Sequence, residues 1–299
     1  MSVPSAYLIV VAIWATTPLA VKWSGEGLGP VPAAAARMLI AAVVGLVMLR
    51  LVNIRLPWDR VAITSYLAAG LGIFGAMSLV YWGALYVPSG LISVLFGLSP
   101  ILSGLLSRYW LVEPELSATR WLACLMALAG LITIFRYELR IEGDAWIGIS
   151  LLLGAVTLFS VSTVWVKRIG AELHPFAQTV GGLLVCVPPY AISWWLIGGV
   201  GVAGAGSVAY AAVLYLALGG SLLGFLCYYY VLRHLPATTV VLITVITPVM
   251  ALGIGAVLND ESISLSTLVG TGMILGGLAL YHLGDRLILR LRGAVIARE

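Results

Sequence analysis

Charged side chains are scarce in this sequence: Asp, Glu, Lys and Arg account for 9% of its 299 residues, whereas 62% are hydrophobic. An ordinary soluble domain carries roughly 25% charged residues. A soluble chain of this length still leaves about a quarter of its surface in water, and so few charges cannot cover it. The composition therefore excludes a soluble globular protein, a nucleic-acid-binding protein and a disordered chain, and it predicts a polytopic membrane protein.

Cysteine is also rare, since the chain has only Cys124, Cys186 and Cys227. All three lie within apolar runs, and no CxxC pair or other metal-ligand spacing occurs, so neither a disulfide framework nor a metal site is expected. We interpret the three as small hydrophobic residues of the interior. We expect no cofactor.

Acidic residues are missing from the middle of every long apolar run, and the histidines lie at the ends of such runs. Hydrolases and metalloenzymes that act within a membrane need ionisable groups at depth. We therefore expect neither enzyme activity nor catalytic residues. A permanently cationic ligand would find no counter-charge, so a neutral or zwitterionic ligand is favoured.

The apolar runs predict an all-α fold with ten transmembrane helices, because a spanning helix needs about 20 apolar residues and the runs lack the alternation of β-strands. The runs cover residues 7–22, 32–51, 61–86, 89–111, 118–135, 146–166, 175–197, 208–232, 237–258 and 265–283. Small residues let transmembrane helices approach closely. Close contacts are therefore expected at Gly70, Gly72, Gly75, Gly270, Gly272, Gly276 and Gly277.

Basic residues favour one side of the predicted membrane. With a cytoplasmic N-terminus, twelve of the sixteen Lys and Arg residues lie on the cytoplasmic side and three on the other, so both termini are expected in the cytoplasm. The remaining one, Arg37, lies about one turn inside the second run. We expect it to reach the interface or pair with Glu26 rather than contact a substrate. The basic tail 285–299 is expected to be a short helix on the inner membrane surface or a frayed end.

The second half of the chain repeats the first. Residues 81–115 match residues 229–263 at a constant separation of 148 in three pairs: Pro88 and Pro236, Pro100 and Pro248, and Glu113 and Glu261. Each half holds five runs, and an odd number inverts the second copy. We expect a five-helix unit at 1–144, an inverted unit at 145–284 and the tail 285–299. Inverted repeats are typical of secondary transporters, whose binding site lies near the midplane, although a static duplicated bundle is the alternative.

Aromatic and hydroxyl side chains share faces of several predicted helices. Such faces can hold an aromatic side chain by stacking while polar groups bind an amino-acid head, although ordinary helix packing is the alternative for each residue. The candidate substrate-binding residues are Trp14, Thr17, Ser78, Tyr81, Trp82, Ser93, Phe96, Phe159, Ser160, Thr163, Tyr228, Tyr229 and Thr244.

Two prolines in the middle of their runs, Pro100 and Pro248, occupy matching positions of the repeat. Each removes one amide donor and releases a carbonyl group, that of Phe96 or that of Thr244. We expect each proline to act as a gating hinge, with a fixed kink as the alternative.

The segments YVPSGLISVLFGLSPILSGLLSRYWLVEPE and HLPATTVVLITVITPVMALGIGAVLNDES resemble the drug/metabolite transporter superfamily, specifically its EamA-type ten-helix carriers. The resemblance covers essentially the whole chain. Within this superfamily the chain looks most similar to the YddG-type aromatic amino-acid exporters.

This resemblance implies export of metabolites from the cytoplasm through a central cavity between helices 1, 3, 4, 6, 8 and 9. Together with the inverted repeat, the uncharged core and the aromatic-hydroxyl faces, it predicts a carrier in the cytoplasmic (inner) membrane that exports amino acids, aromatic or other large neutral ones, by alternating access. The cavity is expected to be mostly uncharged. Export of other metabolites or drugs, or a receptor or scaffold without transport, are the alternatives. The expected partners are a small amphiphilic metabolite and membrane lipid but no nucleic acid, and monomer and homodimer stay open. The lack of a carboxylate at depth favours facilitated transport or exchange over proton coupling.

Overall fold

A computed structural model of the chain describes residues 2–111, 117–141, 144–197, 204–235 and 237–296. All regular elements within these residues are helical, so the predicted all-α class is confirmed for them. The α-helices are α1 (Val3–Leu28), α2 (Pro30–Leu51), α3 (Arg60–Gly70), α4 (Met77–Gly83), α5 (Ser89–Phe96), α6 (Ser99–Trp110), α7 (Ala118–Ile141), α8 (Ala145–Ile169), α9 (Pro175–Leu196), α10 (Ser207–Tyr215), α11 (Gly224–His234), α12 (Ala237–Leu258) and α13 (Leu265–Ile296).

Seven helical segments of the described chain are long and apolar enough to cross a membrane, which agrees with a polytopic membrane protein. They are Val3–Leu28, Pro30–Leu51, Arg60–Gly83, Ser89–Trp110, Ala145–Ile169, Pro175–Leu196 and Ser207–Tyr228. Shorter apolar helical stretches lie at Ala118–Ile134, Ile246–Leu258 and Leu265–Tyr281. In lipid a helix is favoured because it satisfies its own backbone groups.

Two of the long segments contain π-helical turns, at Leu71–Ala76 between α3 and α4 and at Leu216–Leu223 between α10 and α11. We call them the first and second π segments. Shifted by the 148 residues of the sequence repeat, the first falls on 219–224 and overlaps the second. π turns alter the regular hydrogen-bond ladder and often occur at functional sites.

Helices α7 and α13 pack through glycine. A Cβ atom at Gly130 would lie 2.5 Å from the carbonyl oxygen of Gly270, and one at Gly270 would lie 2.6 Å from that of Gly130. The backbones therefore touch where only a hydrogen fits. Neighbours that a Cβ atom would meet confirm the close contacts predicted at Gly70, Gly72, Gly75, Gly270, Gly276 and Gly277.

The prediction for Gly272 was wrong, because no atom of the described residues lies within 4 Å of its Cβ position. Gly272 is exposed, and two residues along a helix it points away from the face that Gly270 presents to α7.

The largest cluster of buried apolar side chains joins α1, α2, α4, α5, α8 and α9 with the second π segment. Tyr81, Leu152 and Tyr190 lie in this core. Of the cysteines, Cys186 and Cys227 are buried, as expected of small interior residues, and Cys124 is half-buried. The polar side chains described next are therefore placed in an otherwise apolar interior.

Candidate functional site

A buried carboxylate joins several helices at the end of the bundle where α1 and α12 end. Glu261 follows α12, and its side chain is 8% exposed. The backbone N–H of Ser89 donates to both carboxylate oxygens at 2.9 Å, and the Ser89 hydroxyl donates to Oε2 at 2.9 Å. Because Ser89 is the first residue of α5, the carboxylate lies at the positive end of that helix dipole.

Lys22 near the end of α1 supplies the counter-charge. Its Nζ lies 3.7 Å from Oε1 of Glu261 and donates to the carbonyl oxygen of Val87 at 3.1 Å. Asn259 Nδ2 donates to the same Oε1 at 3.0 Å, and the Trp23 indole donates to Asn259 Oδ1 at 2.8 Å. Three separate parts of the chain are thus joined. We call these residues the Glu261 network: Lys22, Trp23, Ser89, Asn259 and Glu261.

An open cleft of about 430 Å³ borders the Glu261 network. Lys22, Glu26, Asp260 and Glu261 are among its lining residues. The Glu261 network therefore lines a cleft that also carries the charged side chains of Glu26 and Asp260.

Aromatic rings cluster where α1 meets α11. The ring centroid of Trp14 lies 4.9 Å from that of Tyr228 and 6.3 Å from that of Phe225. A Cβ atom at Gly224 would lie 3.2 Å from the indole nitrogen of Trp14, so the missing side chain lets the indole approach α11. We call Trp14, Phe225 and Tyr228 the aromatic cluster.

A second pair of predicted residues meets where α5 gives way to α6. The rings of Phe96 and Phe159 are 5.8 Å apart in an edge arrangement. Ser160 is fully buried, and its hydroxyl donates to the carbonyl oxygen of Ser99 at 3.3 Å. Ser93 is half-buried on α5. These residues fasten α8 to the α5–α6 junction.

The two prolines sit in different backbone settings. α5 ends at Phe96 and α6 begins at Ser99, so the helix is interrupted just before Pro100. The carbonyl of Phe96, released as predicted, accepts the Ser99 hydroxyl at 2.7 Å. Pro248 lies inside the continuous helix α12.

A charged side chain lies deep among these helices. Arg37 is 5% exposed, and its Nε donates to the hydroxyl of Ser221 in the second π segment at 3.1 Å. Its Nη1 has no hydrogen-bond partner within the described residues. The Glu26 side chain is 47% exposed and lies 3.9 Å from Lys22. The expectation that Arg37 reaches the interface or pairs with Glu26 was therefore wrong, because Arg37 lies on a face of α2 that packs into the bundle.

Tyr190 of α9 extends this buried polar region to the first π segment. Its hydroxyl donates to the carbonyl oxygens of Ile73 and Phe74 at 3.3 Å each, and it accepts from the Ser78 hydroxyl at 3.4 Å. Tyr81, one turn beyond Ser78, is fully buried, and its hydroxyl has no partner in the described part of the chain.

Tyr81 and Tyr190 belong to the same buried core, and Arg37 of α2 is buried as well. Each π segment therefore takes part in a buried polar contact, the first with Tyr190 and the second with Arg37. We call these residues the Arg37 cluster: Arg37, Ser78, Tyr81, Tyr190 and Ser221.

The remaining predicted residues are more scattered. Thr17 is half-buried, and its hydroxyl donates to the carbonyl of Ile13 at 2.7 Å. Trp82 is 42% exposed, Thr163 is exposed and Thr244 is half-buried. The side chain of Tyr229 lies outside the described part of the structure.

Sequence reasoning missed Tyr190 and Ser221 and gave Arg37 a different role. A lone arginine inside an apolar run is itself a signal, because an isolated charge is costly in a membrane. Nothing in the local sequence marks Tyr190 or Ser221 as its neighbours.

Comparison with known proteins identifies the family. The profile of the EamA-like transporter family matches residues 3–136 and 146–283. The chain belongs to the EamA-like transporter family. This family is part of the drug/metabolite transporter superfamily, and its members are membrane transporters rather than enzymes, as predicted.

Relatives from distant organisms match nearly the whole chain. An uncharacterized transporter of Archaeoglobus fulgidus is 24% identical over 276 residues, which are 90% of this chain and 95% of that protein. The uncharacterized inner membrane transporter YedA of Escherichia coli is 25% identical over 277 residues, 92% of this chain and 89% of that protein. The "Probable terminal-alkyne amino-acid exporter" of Streptantibioticus cattleyicolor is 24% identical over 281 residues, 93% of this chain and 92% of that protein.

A protein of known crystal structure shares the fold, with a TM-score of 0.67 at 21% identity. The match covers 94% of this chain and 99% of that chain. The similarity thus extends over the whole bundle.

Proposed function

We propose that this EamA-family transporter exports amino acids, aromatic or other large neutral ones, across the cytoplasmic membrane by alternating access. Ten transmembrane helices form two inverted units at 1–144 and 145–284, the basic tail is 285–299, and both termini are cytoplasmic. The Glu261 network then lies on the external side. The substrate enters a central cavity from the cytoplasm and leaves once this network opens.

The Glu261 network is the observation that carries this proposal, because Lys22 and Ser89 belong to the first unit and Glu261 to the second. The sequence repeat pairs Glu261 with Glu113 and Ser89 with Ala237, and Lys167 ends its run as Lys22 does. Glu113 lies outside the described residues. An ion pair of Glu113 with Lys167 and a bond from the backbone N–H of Ala237 to Glu113 would close the cytoplasmic side in the alternate state, without the hydroxyl contact that Ser89 adds on the external side.

The substrate class is supported by the aromatic cluster and by the named amino-acid exporter among the relatives. Clustered aromatic rings with hydroxyl groups nearby suit an aromatic side chain that carries a polar head. The candidate residues from Trp14 to Thr244 named above remain the proposed lining, with hinges at Pro100 and Pro248.

Flux into proteoliposomes tests the proposal directly. Purified protein is reconstituted and offered labelled phenylalanine, methionine and threonine, with an imposed pH gradient as a separate arm. We expect saturable flux that is fastest for phenylalanine and unchanged by the gradient. Flux of drugs or other metabolites alone, or ligand binding without any flux, would contradict amino-acid export.

Trp14→Ala tests the location of the site. The change removes the ring that contacts Tyr228 and Phe225, and we expect phenylalanine flux at low substrate to fall about tenfold. Trp121→Ala, at an exposed ring on α7, is the matched control and should leave flux within about twofold. Equal flux in the two variants at equal reconstitution would mean that the site lies elsewhere.

A further inference from the structure

We infer that Arg37 binds the carboxylate of the transported amino acid, assisted by the Tyr81 hydroxyl, while the substrate side chain stacks in the aromatic cluster. This inference rests on the proposed amino-acid export and assigns its charged subsite.

The charge of Arg37 has no counter-charge in the described protein. A guanidinium group stays protonated in proteins, and a buried charge without a partner is strongly unfavourable. Within the described residues the ion pairs involve Lys22, and none reaches Arg37. A buried cation in this situation is expected where a bound anion completes the pair.

The hydrogen-bond donors of the Arg37 cluster that have no partner in the described protein suit a carboxylate. Nε of Arg37 is used by Ser221, whereas Nη1 is buried without a partner. The Tyr81 hydroxyl is a second buried group without a partner. Guanidinium donors bind carboxylates through two parallel hydrogen bonds, and the two carboxylate oxygens can accept a further donor.

The aromatic cluster lies on the same glycine-lined face of the α10–α11 segment as Arg37. A Cβ atom at Gly220 would lie 3.5 Å from both Nη2 of Arg37 and the Thr17 hydroxyl. A Cβ atom at Gly224, four residues later, would lie 3.2 Å from the indole nitrogen of Trp14. Gly220 and Gly224 are only four residues apart in one helical segment, so one aromatic amino acid can reach from the guanidinium to the rings.

An acceptor for the substrate ammonium group is available within the Arg37 cluster. The Ser78 hydroxyl donates its proton to the Tyr190 hydroxyl, so the Ser78 oxygen keeps lone pairs that can accept from an ammonium group. A zwitterion would therefore find a cation and a hydroxyl acceptor in the same cluster. This arrangement favours amino acids over amines and over neutral drugs.

Competition against labelled phenylalanine in wild-type proteoliposomes tests the inference without any substitution. Phenylpropionate keeps the carboxylate and lacks the amine, whereas phenethylamine and phenylalaninamide lack the carboxylate. We expect phenylpropionate to compete at least tenfold better than phenethylamine, because charge-assisted hydrogen bonds are the strong ones. Saturable phenylalanine flux with equal inhibition by all three would overturn the carboxylate subsite and leave amino-acid export intact. The absence of amino-acid flux would overturn both.

Single-residue variants test whether Arg37 and Tyr81 form the carboxylate subsite. Arg37→Lys keeps the charge but loses the two-pronged geometry, and Tyr81→Phe removes a single oxygen. We expect both to reduce the ratio of apparent affinity for phenylalanine over phenylalaninamide by at least fivefold. Arg50→Gln, at an exposed end of the same helix, should leave the ratio unchanged. A purely structural arginine would lower the amount of folded protein and keep the ratio, and that result would refute the assignment.

Discussion

Replacement of Glu261 with alanine is expected to open the face of the bundle that the Glu261 network closes. The change leaves Lys22, which is 15% exposed, without its buried counter-charge and removes the carboxylate that binds the Ser89 N–H. Loss of one partner of a buried pair costs about 3–5 kcal/mol. We expect phenylalanine flux to fall at least tenfold, because a face that cannot close no longer alternates.

Cysteine labelling measures this opening independently of flux. Leu91 lies on α5 just beyond Ser89 and is 1% exposed. In a background without the three native cysteines, Leu91→Cys should react with a membrane-impermeant maleimide at least tenfold faster when Glu261 is alanine. Glu26→Ala is the matched control, since Glu26 is 47% exposed and exposed pairs contribute about 0–1 kcal/mol. Equal labelling rates in the two variants would show that Glu261 does not hold this face closed.

Gly130→Ala is expected to destabilise the protein strongly, although alanine is normally the better helix residue. The added methyl would lie 2.5 Å from the Gly270 carbonyl oxygen and 2.9 Å from the Met273 Cβ, so α7 and α13 must separate. Overpacking of this kind costs roughly 1–3 kcal/mol, and occasionally more. Thermal unfolding in detergent should show a midpoint well below that of the native protein.

The same substitution at Gly272 should have the opposite effect on the stability of the protein. In the described part of the chain nothing lies within 4 Å of its Cβ position, so Gly272→Ala adds only helix propensity, which is worth up to about 1 kcal/mol. A midpoint at or above that of the native protein is expected. If both variants unfolded alike, the α7–α13 glycine contact would not be a source of stability.

The long helices could be predicted because membrane spans depend on composition, which the sequence displays directly. The runs at 32–51, 89–111 and 175–197 reappear as Pro30–Leu51, Ser89–Trp110 and Pro175–Leu196. The π segments could not be predicted in the same way. Their glycine-rich sequences also suit an ordinary helix, and which turn widens depends on contacts with other helices.

The candidate site was predictable only in part. Trp14 and Tyr228 were expected to line one site, and the structure brings their rings together because each faces the neighbouring helix at a regular helical spacing. Arg37 was expected at the interface because a position near a helix end allows a long side chain to reach water. The side chain instead turns inward, where its Nε donates to Ser221, a residue far away in sequence.

The helix interruption before Pro100 involves residue types that recur at the matching positions of α12. Ser99, whose hydroxyl binds the released carbonyl of Phe96, corresponds in the sequence repeat to Thr247, and Phe96 corresponds to Thr244. A hydroxyl thus precedes proline in both copies, although Gly97 of the first copy corresponds to Val245 of the second. If α12 is interrupted before Pro248, the Thr247 hydroxyl can bind the carbonyl group of Thr244 as Ser99 binds that of Phe96.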